Sequence, residues 1–187
     1  KLADGIFELD TKSFCNSTGY KAKSGHHYVV EIAMPASIEW EWQDDTIEAS
    51  PDGLSAGELS LAHYLGVPLR RLADARYLQP LYQVRPPDTV DRHQAVLVNR
   101  LHPVLYRDYE RGCRIYRADF TPTESGELFL YVNDAVGLFD RDHYYSNNSG
   151  KARIYLHDLS ELDPIKPRNP SALRCAIFPE LGASPSG

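Results

Sequence analysis

The stretch Glu127–Leu156, ELFLYVNDAVGLFDRDHYYSNNSGKARIYL, holds the residues of this chain best suited to chemistry. Asp134 brings a carboxylate, and Asn147 and Asn148 bring two side-chain amides, all on one loop between strand-like runs. Charged and neutral oxygens of this kind suit a hard cation, and calcium accepts about six to eight of them at flexible geometry. Asp134 alone supplies full charge, so backbone carbonyls, one of them near Tyr144, are needed to fill a shell. Asp140, Asp142 or the pair Asp44-Asp45 would add charge. A calcium ion with open positions can hold sugar hydroxyls directly. The plainer reading is a solvated turn, because Asn, Asp, Ser and Gly all favour turns.

Other residues have less support from their surroundings. Gly53-Leu54-Ser55-Ala56-Gly57 fits G-x-S-x-G. A nucleophile elbow needs a strand–turn–helix in a parallel sheet, and no alternation of strands and helices surrounds this one. The expectation is a loop leading into a short helix, and no enzyme activity. Trp40 and Trp42 share a face in a strand and offer apolar rings to a pyranose, although core packing is the commoner use of tryptophan. His26 and His27 are adjacent and face opposite ways in a strand, so they read as a turn entering the strand rather than as a metal site. Cys15, Cys113 and Cys175 cannot all pair within one chain, and the absence of C-x-x-C argues against a zinc knuckle.

The elements that would position the loop are strands. In Tyr28–Met34, alternation puts Tyr28, Val30, Ile32 and Met34 on one face. Pro80–Val84, Ala95–Val98 and Ala152–Leu156 read as further strands, with Arg153 and Tyr155 on the wetter face of the last. Cys113–Phe120 and Glu127–Val132 read as a strand pair joined by the turn-rich Thr121–Gly126. The one helix candidate is Ser55–Leu65, with Ser55 as N-cap, Glu58 three residues later, and Gly66 and Pro68 to stop it.

With 187 residues, 42% hydrophobic and 25% charged, the chain suits a single globular core. Its net charge of −6 and scattered basic residues argue against nucleic acid, which needs a clustered positive surface. No run of apolar residues is long enough for a membrane helix, and no signal segment is visible. The chain therefore reads as processed, or as part of a larger protein.

LFLYVNDA…YYSNNSGKARIYL resembles the end of the bacterial calcium-dependent galactophilic lectins. There a strand ends in an aromatic-x-Asn-Asp or similar turn, and an Asn-Asn-x-Gly precedes the last strand. GYKAKSGHHYVVEIAM, EWQDDTIEASPDG and ADARYLQPLYQV resemble, more faintly, earlier parts of larger lectin-like modules. The loop after Asp134 is longer here than in the compact lectins, and His102-Pro103 falls outside the position where their sugar-touching His-Pro segment is expected.

The resemblance implies an all-β fold, a galactose-binding-domain-like jelly-roll sandwich with a short helical insertion. It would span 1–160, with 161–187 as an extended C-terminal segment. It implies calcium held by the side chains of Asp134, Asn147 and Asn148, with backbone positions at Tyr144 and at Trp42–Asp45, Asp45 included. A galactose-type sugar would face Asp134, Ala135, Asn147 and Trp42. The implied role is a carbohydrate-binding accessory or targeting module of a larger bacterial protein, secreted or periplasmic. The alternative is an interaction module without sugar binding, positioning a secreted phospholipase-type antibacterial effector on a protein or membrane partner.

Overall fold

Tyr28–Pro35 shows how the alternating pattern is used. The face chosen by alternation, Tyr28, Val30, Ile32 and Met34, lies in the main core, and Val29, Glu31 and Ala33 on the opposite face are buried too. A strand covered on both faces belongs in the middle of a sheet. The computed structural model describes residues 5–35, 42–44, 47–59, 63, 66–87, 98–107, 113–136 and 144–161. Trp40, Asp45, residues 95–97, Asp140, Asp142, Cys175 and all of the expected C-terminal segment beyond 161 lie outside them.

The described strands are β1 (Gly5–Asp10), β2 (Asn16–Ala22), β3 (Tyr28–Pro35), β4 (Trp42–Asp44), β5 (Ile47–Ala49) and β6 (Pro80–Arg85), then β7 (Asn99–Arg100), β8 (Val104–Arg107), β9 (Cys113–Phe120), β10 (Gly126–Val132), β11 (Asn148–Ser149) and β12 (Lys151–Asp158). They form a five-stranded sheet in the order β1-β12-β3-β9-β8 and a four-stranded sheet in the order β2-β10-β6-β7. A third, small sheet has the order β11-β4-β5. All the pairings are antiparallel. The main core gathers Val30 and Ile32 of β3 and Ile154 and Leu156 of β12 with Leu128, Leu130 and Val132 of β10. The two larger sheets therefore share one apolar layer.

Two expectations about architecture are corrected. The described residues form an all-β, sandwich-like layering of three sheets and contain no helix of seven or more residues, so the expected helical insertion does not hold. Within and just past the expected Ser55–Leu65 helix, the described residues give a 3-10 turn, Ala56–Glu58, and then helical backbone at His63 and Gly66. Ser55 and Glu58 do make the reciprocal capping box, yet Leu59 returns to extended backbone at φ −83° and ψ 142°. A cap specifies where a helix begins, not how long it runs.

The expected hairpin of Cys113–Phe120 with Glu127–Val132 is also not formed. β9 pairs with β3 and β8, while β10 pairs with β2 and β6. The linker crosses between sheets, and the inward sets Tyr116, Ala118, Phe120 and Leu128, Leu130, Val132 join the same core. β10 and β12, expected to pair or to face each other across one sandwich, lie in different sheets and turn Leu128, Leu130 and Val132 and Ile154 and Leu156 into the same core. No helix among the described residues is long and apolar enough to cross a membrane.

Gly53 carries a close contact that the rest of this region depends on. Its φ is +74°, and a Cβ there would stand 2.8 Å from the Tyr77 carbonyl oxygen and 2.9 Å from the Cβ atoms of Arg76 and Gln79. The neighbouring Leu54 exchanges both backbone hydrogen bonds with Tyr77, at 2.8 and 3.0 Å. The first glycine of the G-x-S-x-G match thus lets two backbones approach. Gly53→Ala should lower the unfolding free energy by about 2 kcal/mol, from left-handed strain plus overpacking. Urea denaturation of the variant and the parent chain measures it.

Candidate functional site

β10 ends at Val132, and the next three residues, Asn133, Asp134 and Ala135, are all buried. A buried loop must satisfy its polar groups internally, and Asn133 does much of this. Its amide nitrogen lies 2.9, 3.1 and 3.0 Å from the carbonyls of Leu72, Ala75 and Arg76, and its amide oxygen accepts from the Leu72 N–H at 3.0 Å. Its backbone bonds Gln79 and Leu78 at 2.9 Å each. Asn133 thereby fixes the 72–79 loop, including Leu78, which is fully buried at φ +57°. That loop carries Tyr77 to the centre of the site.

The third sheet brings the remaining groups. β11 pairs with β4 in the register Asn148↔Asp44 and Ser149↔Gln43. In β4, Trp42 and Asp44 are buried and Gln43 between them is half-buried, so Asp44 points to the same side as the core tryptophan. The Asn148 amide nitrogen donates to Asp134 Oδ2 at 2.9 Å and to the Thr11 carbonyl at 3.2 Å. The Asn147 amide nitrogen donates to Asp44 Oδ1 at 2.5 Å. The Tyr77 hydroxyl lies against both carboxylates, 2.9 Å from Asp134 Oδ1 and in direct hydrogen bond with Asp44 Oδ2. His63 Nε2 stands 3.4 Å from the same Asp44 oxygen, its ring edge-on to Tyr77.

Asp134, Asn147 and Asn148, drawn from the two ends of one loop, thus meet in space with an acid from a distant strand. Asp134 and Asn148 are 0% exposed and Asp44 is 2% exposed. The donors to the Asp134 carboxylate among the described residues are neutral: Tyr77, Asn148 and the N–H of Ala135 at 2.5 Å. Burial, and next the nearby Asp44 charge, push the Asp134 carboxyl up to about 6. Burial also pushes the Tyr77 hydroxyl far above its ordinary value, with Asp134 and Asp44 adding to it. Asn148 Oδ1 is buried with no hydrogen-bond partner. An orphaned buried acceptor is uncommon and asks for a ligand. Two carboxylates and an unmet amide oxygen are donor types that a hard divalent cation accepts, while His63 Nε2 beside Asp44 is not.

The other expected site residues fall out differently. Ala135 is buried, and its N–H is spent on Asp134. Tyr144 opens the 3-10 turn Tyr144–Asn147 with its side chain partly exposed, while Tyr145 is fully buried and donates to the Val132 carbonyl at 2.8 Å. Trp42 is 0% exposed, so its ring packs in the core and cannot stack on a sugar; its Nε1 finds no acceptor. Asp45 lies outside the described residues, and the acid brought to the centre is Asp44. Sequence reasoning missed Tyr77, His63 and Asn133. Ser55, singled out by its motif, gives its hydroxyl to Glu58 at 2.6 Å.

A second cluster stands apart from this one. His26, Asp158 and Glu161 place ligand atoms within 4.8 Å of one another, an arrangement capable of coordinating a divalent cation. Compared with protein-family models and with curated proteins, the chain matches none.

Two outcomes follow from this geometry. Asn133→Ala should cost about 2–4 kcal/mol in urea denaturation, because several buried backbone groups lose their partner at once. The second concerns pH in metal-free buffer. Asp134 has a raised folded-state pKa, so between its ordinary value near 3.8 and about 6 the unfolded chain has released a proton that the folded chain retains. Its contribution to stability therefore falls as pH rises through that window and levels off above it. Asp134→Asn should remove this fall, on the order of 2–3 kcal/mol, when thermal melts of both chains are compared from pH 4 to pH 7.

Proposed function

We propose that this chain is a calcium-dependent carbohydrate-binding module, resembling the bacterial galactophilic lectins, that serves a larger bacterial protein as an accessory or targeting part. The observation that carries the reading is the convergence of Asp44, Asp134, Asn147 and Asn148, with Asn148 Oδ1 left without a partner. Two carboxylates improve on the single charge of Asp134 and suit a divalent ion better than one would. Calcium, when bound, supplies positive charge to the buried acids and open positions for sugar hydroxyls.

The chain's own residues have separable parts in this reading. Asp134 and Asp44 balance the charge, and Asn147 and Asn148, whose amide nitrogens face the acids in the metal-free chain, would turn their oxygens to the ion on binding. The Tyr77 hydroxyl lies between the two acids in the metal-free chain, donating its one proton to either, and yields that place on binding. Asn147, exposed beside the acids, is the residue placed to orient a sugar. A galactose-type ligand follows from the resemblance alone. A secreted or periplasmic home, where calcium is plentiful, suits the module.

A second reading has an observation of its own. The Tyr77 hydroxyl already bridges Asp44 and Asp134, as it would in a module that needs no metal. That module would position a phospholipase-type effector on a protein or membrane partner.

Calorimetry with calcium separates the two. The first reading expects saturable calcium binding, and galactose binding that appears only with calcium present. Asp134→Ala should abolish both, and Asn147→Ala should weaken both together. Calcium at about a hundredfold excess over Kd should also raise the unfolding free energy by about 2.7 kcal/mol. No heat at millimolar calcium would leave the metal-free module.

A further inference from the structure

The turn before β3 and the end of β12 meet at one end of the five-stranded sheet, between two of its inner strands. Asp158 pairs with Tyr28 in the ladder, and beyond it the Leu159 N–H donates to the His27 carbonyl at 2.8 Å. The His27 N–H donates to Ser160 Oγ at 2.8 Å. These bonds hold residues 26–28 against 158–160. The side chains follow. Asp158 is buried, and its Oδ1 accepts from the Ser160 N–H at 3.0 Å. Its Oδ2 is left to face His26 Nδ1 at 2.9 Å. The His26 ring is stacked on Tyr28, with 24° between planes. Glu161 reaches in from the surface, where its carboxylate is paired with Lys23.

We propose that His26, Asp158 and Glu161 form a second cation site, independent of the Asp134 cluster, that takes a borderline transition ion of the zinc class rather than calcium. The chemistry of the donors decides between the ions. One imidazole nitrogen and two carboxylate oxygens suit zinc, whereas calcium prefers an all-oxygen shell. Zinc ligands lie about 2.0–2.2 Å from the ion, so tetrahedral ligand atoms stand about 3.4 Å apart. The three atoms already lie within 4.8 Å of one another, and side-chain rotation of His26 and Glu161 closes the difference. Two carboxylates neutralise the ion, and water takes the open position.

Lys23 has a defined part. Its side chain is 57% exposed, and its ammonium occupies the Glu161 carboxylate when no metal is bound. An arriving cation displaces it into solvent. His27, whose imidazole lies 3.4 Å from Thr121 Oγ1, stays outside the site. The adjacent histidines therefore do face different ways, and one of them finds carboxylates that are far away in sequence. A bound ion would tie the 23–26 turn to the point where the chain leaves β12.

Calorimetric titration of the full chain with zinc, with and without excess calcium, tests the site. One zinc per chain should bind, and excess calcium should leave that binding in place. His26→Ala and Glu161→Gln should each weaken it at least tenfold, and Lys23→Ala should tighten it several-fold. His26 is half-buried and Glu161 exposed, and circular dichroism checks that the variants stay folded. Absence of zinc binding overturns the proposal. So does binding that His26→Ala and Glu161→Gln leave unchanged, since the ligands then lie elsewhere.

Discussion

Asn148 lies opposite Asp44 in a short ladder, and the polar centre of the molecule depends on that pairing. Without it, Asp134 would be one buried acid at the end of β10, and Asp44 one acid in a small sheet. With it, two carboxylates share a volume that holds a single tyrosine hydroxyl between them. Taking a carboxylate out of water costs several kcal/mol unless a charge or good hydrogen bonds compensate. Two such groups side by side repel, so one retains its proton or a cation enters. The raised pKa of Asp134 and the unpartnered Asn148 oxygen are two signs of the same frustration.

A centre of this kind needs a stiff frame, and the frame is made of backbone contacts. Asn133 stitches the 72–79 loop to the end of β10, and Gly53 allows Leu54 to bond Tyr77. Arg71 adds packing: its guanidinium lies 3.9 Å from the Phe14 ring centroid and 4.2 Å from that of Tyr131. Thr11 closes the far side, bonding the Gly150 carbonyl through both its N–H and its hydroxyl. Stretches from Thr11 to Gly150 thus hold four side chains in place, and side chains that are already ordered lose little entropy on binding a ligand.

Local chemistry made the convergence of Asp134, Asn147 and Asn148 legible, because three oxygen-bearing side chains on one loop are visible without a fold. The need for more charge pointed to Asp44-Asp45. Which member turns inward depends on strand parity, and that becomes definite only when Trp42 is seen to be core. The same ambiguity misplaced the Trp42 ring, since alternation says which residues share a face but not which face is buried. Tyr77 carried no signal at all; it arrives through a bridge to Leu54 that no local pattern encodes. Turn-rich residues 121–125 read equally well as a hairpin and as a crossing between sheets, and the edges already paired by β3 and β6 decide it. His26 needed Asp158 beside it before its chemistry could be seen.

On the proposed function, calcium would take the volume between Asp44 and Asp134 that the Tyr77 hydroxyl holds in the metal-free chain. A crystal structure grown in millimolar calcium tests it most directly. The expected result is an ion bound by both carboxylates and by Asn148 Oδ1, with the Tyr77 hydroxyl displaced from between the acids. A Tyr77 hydroxyl still bridging Asp44 and Asp134, with no ion beside it at that concentration, would contradict it.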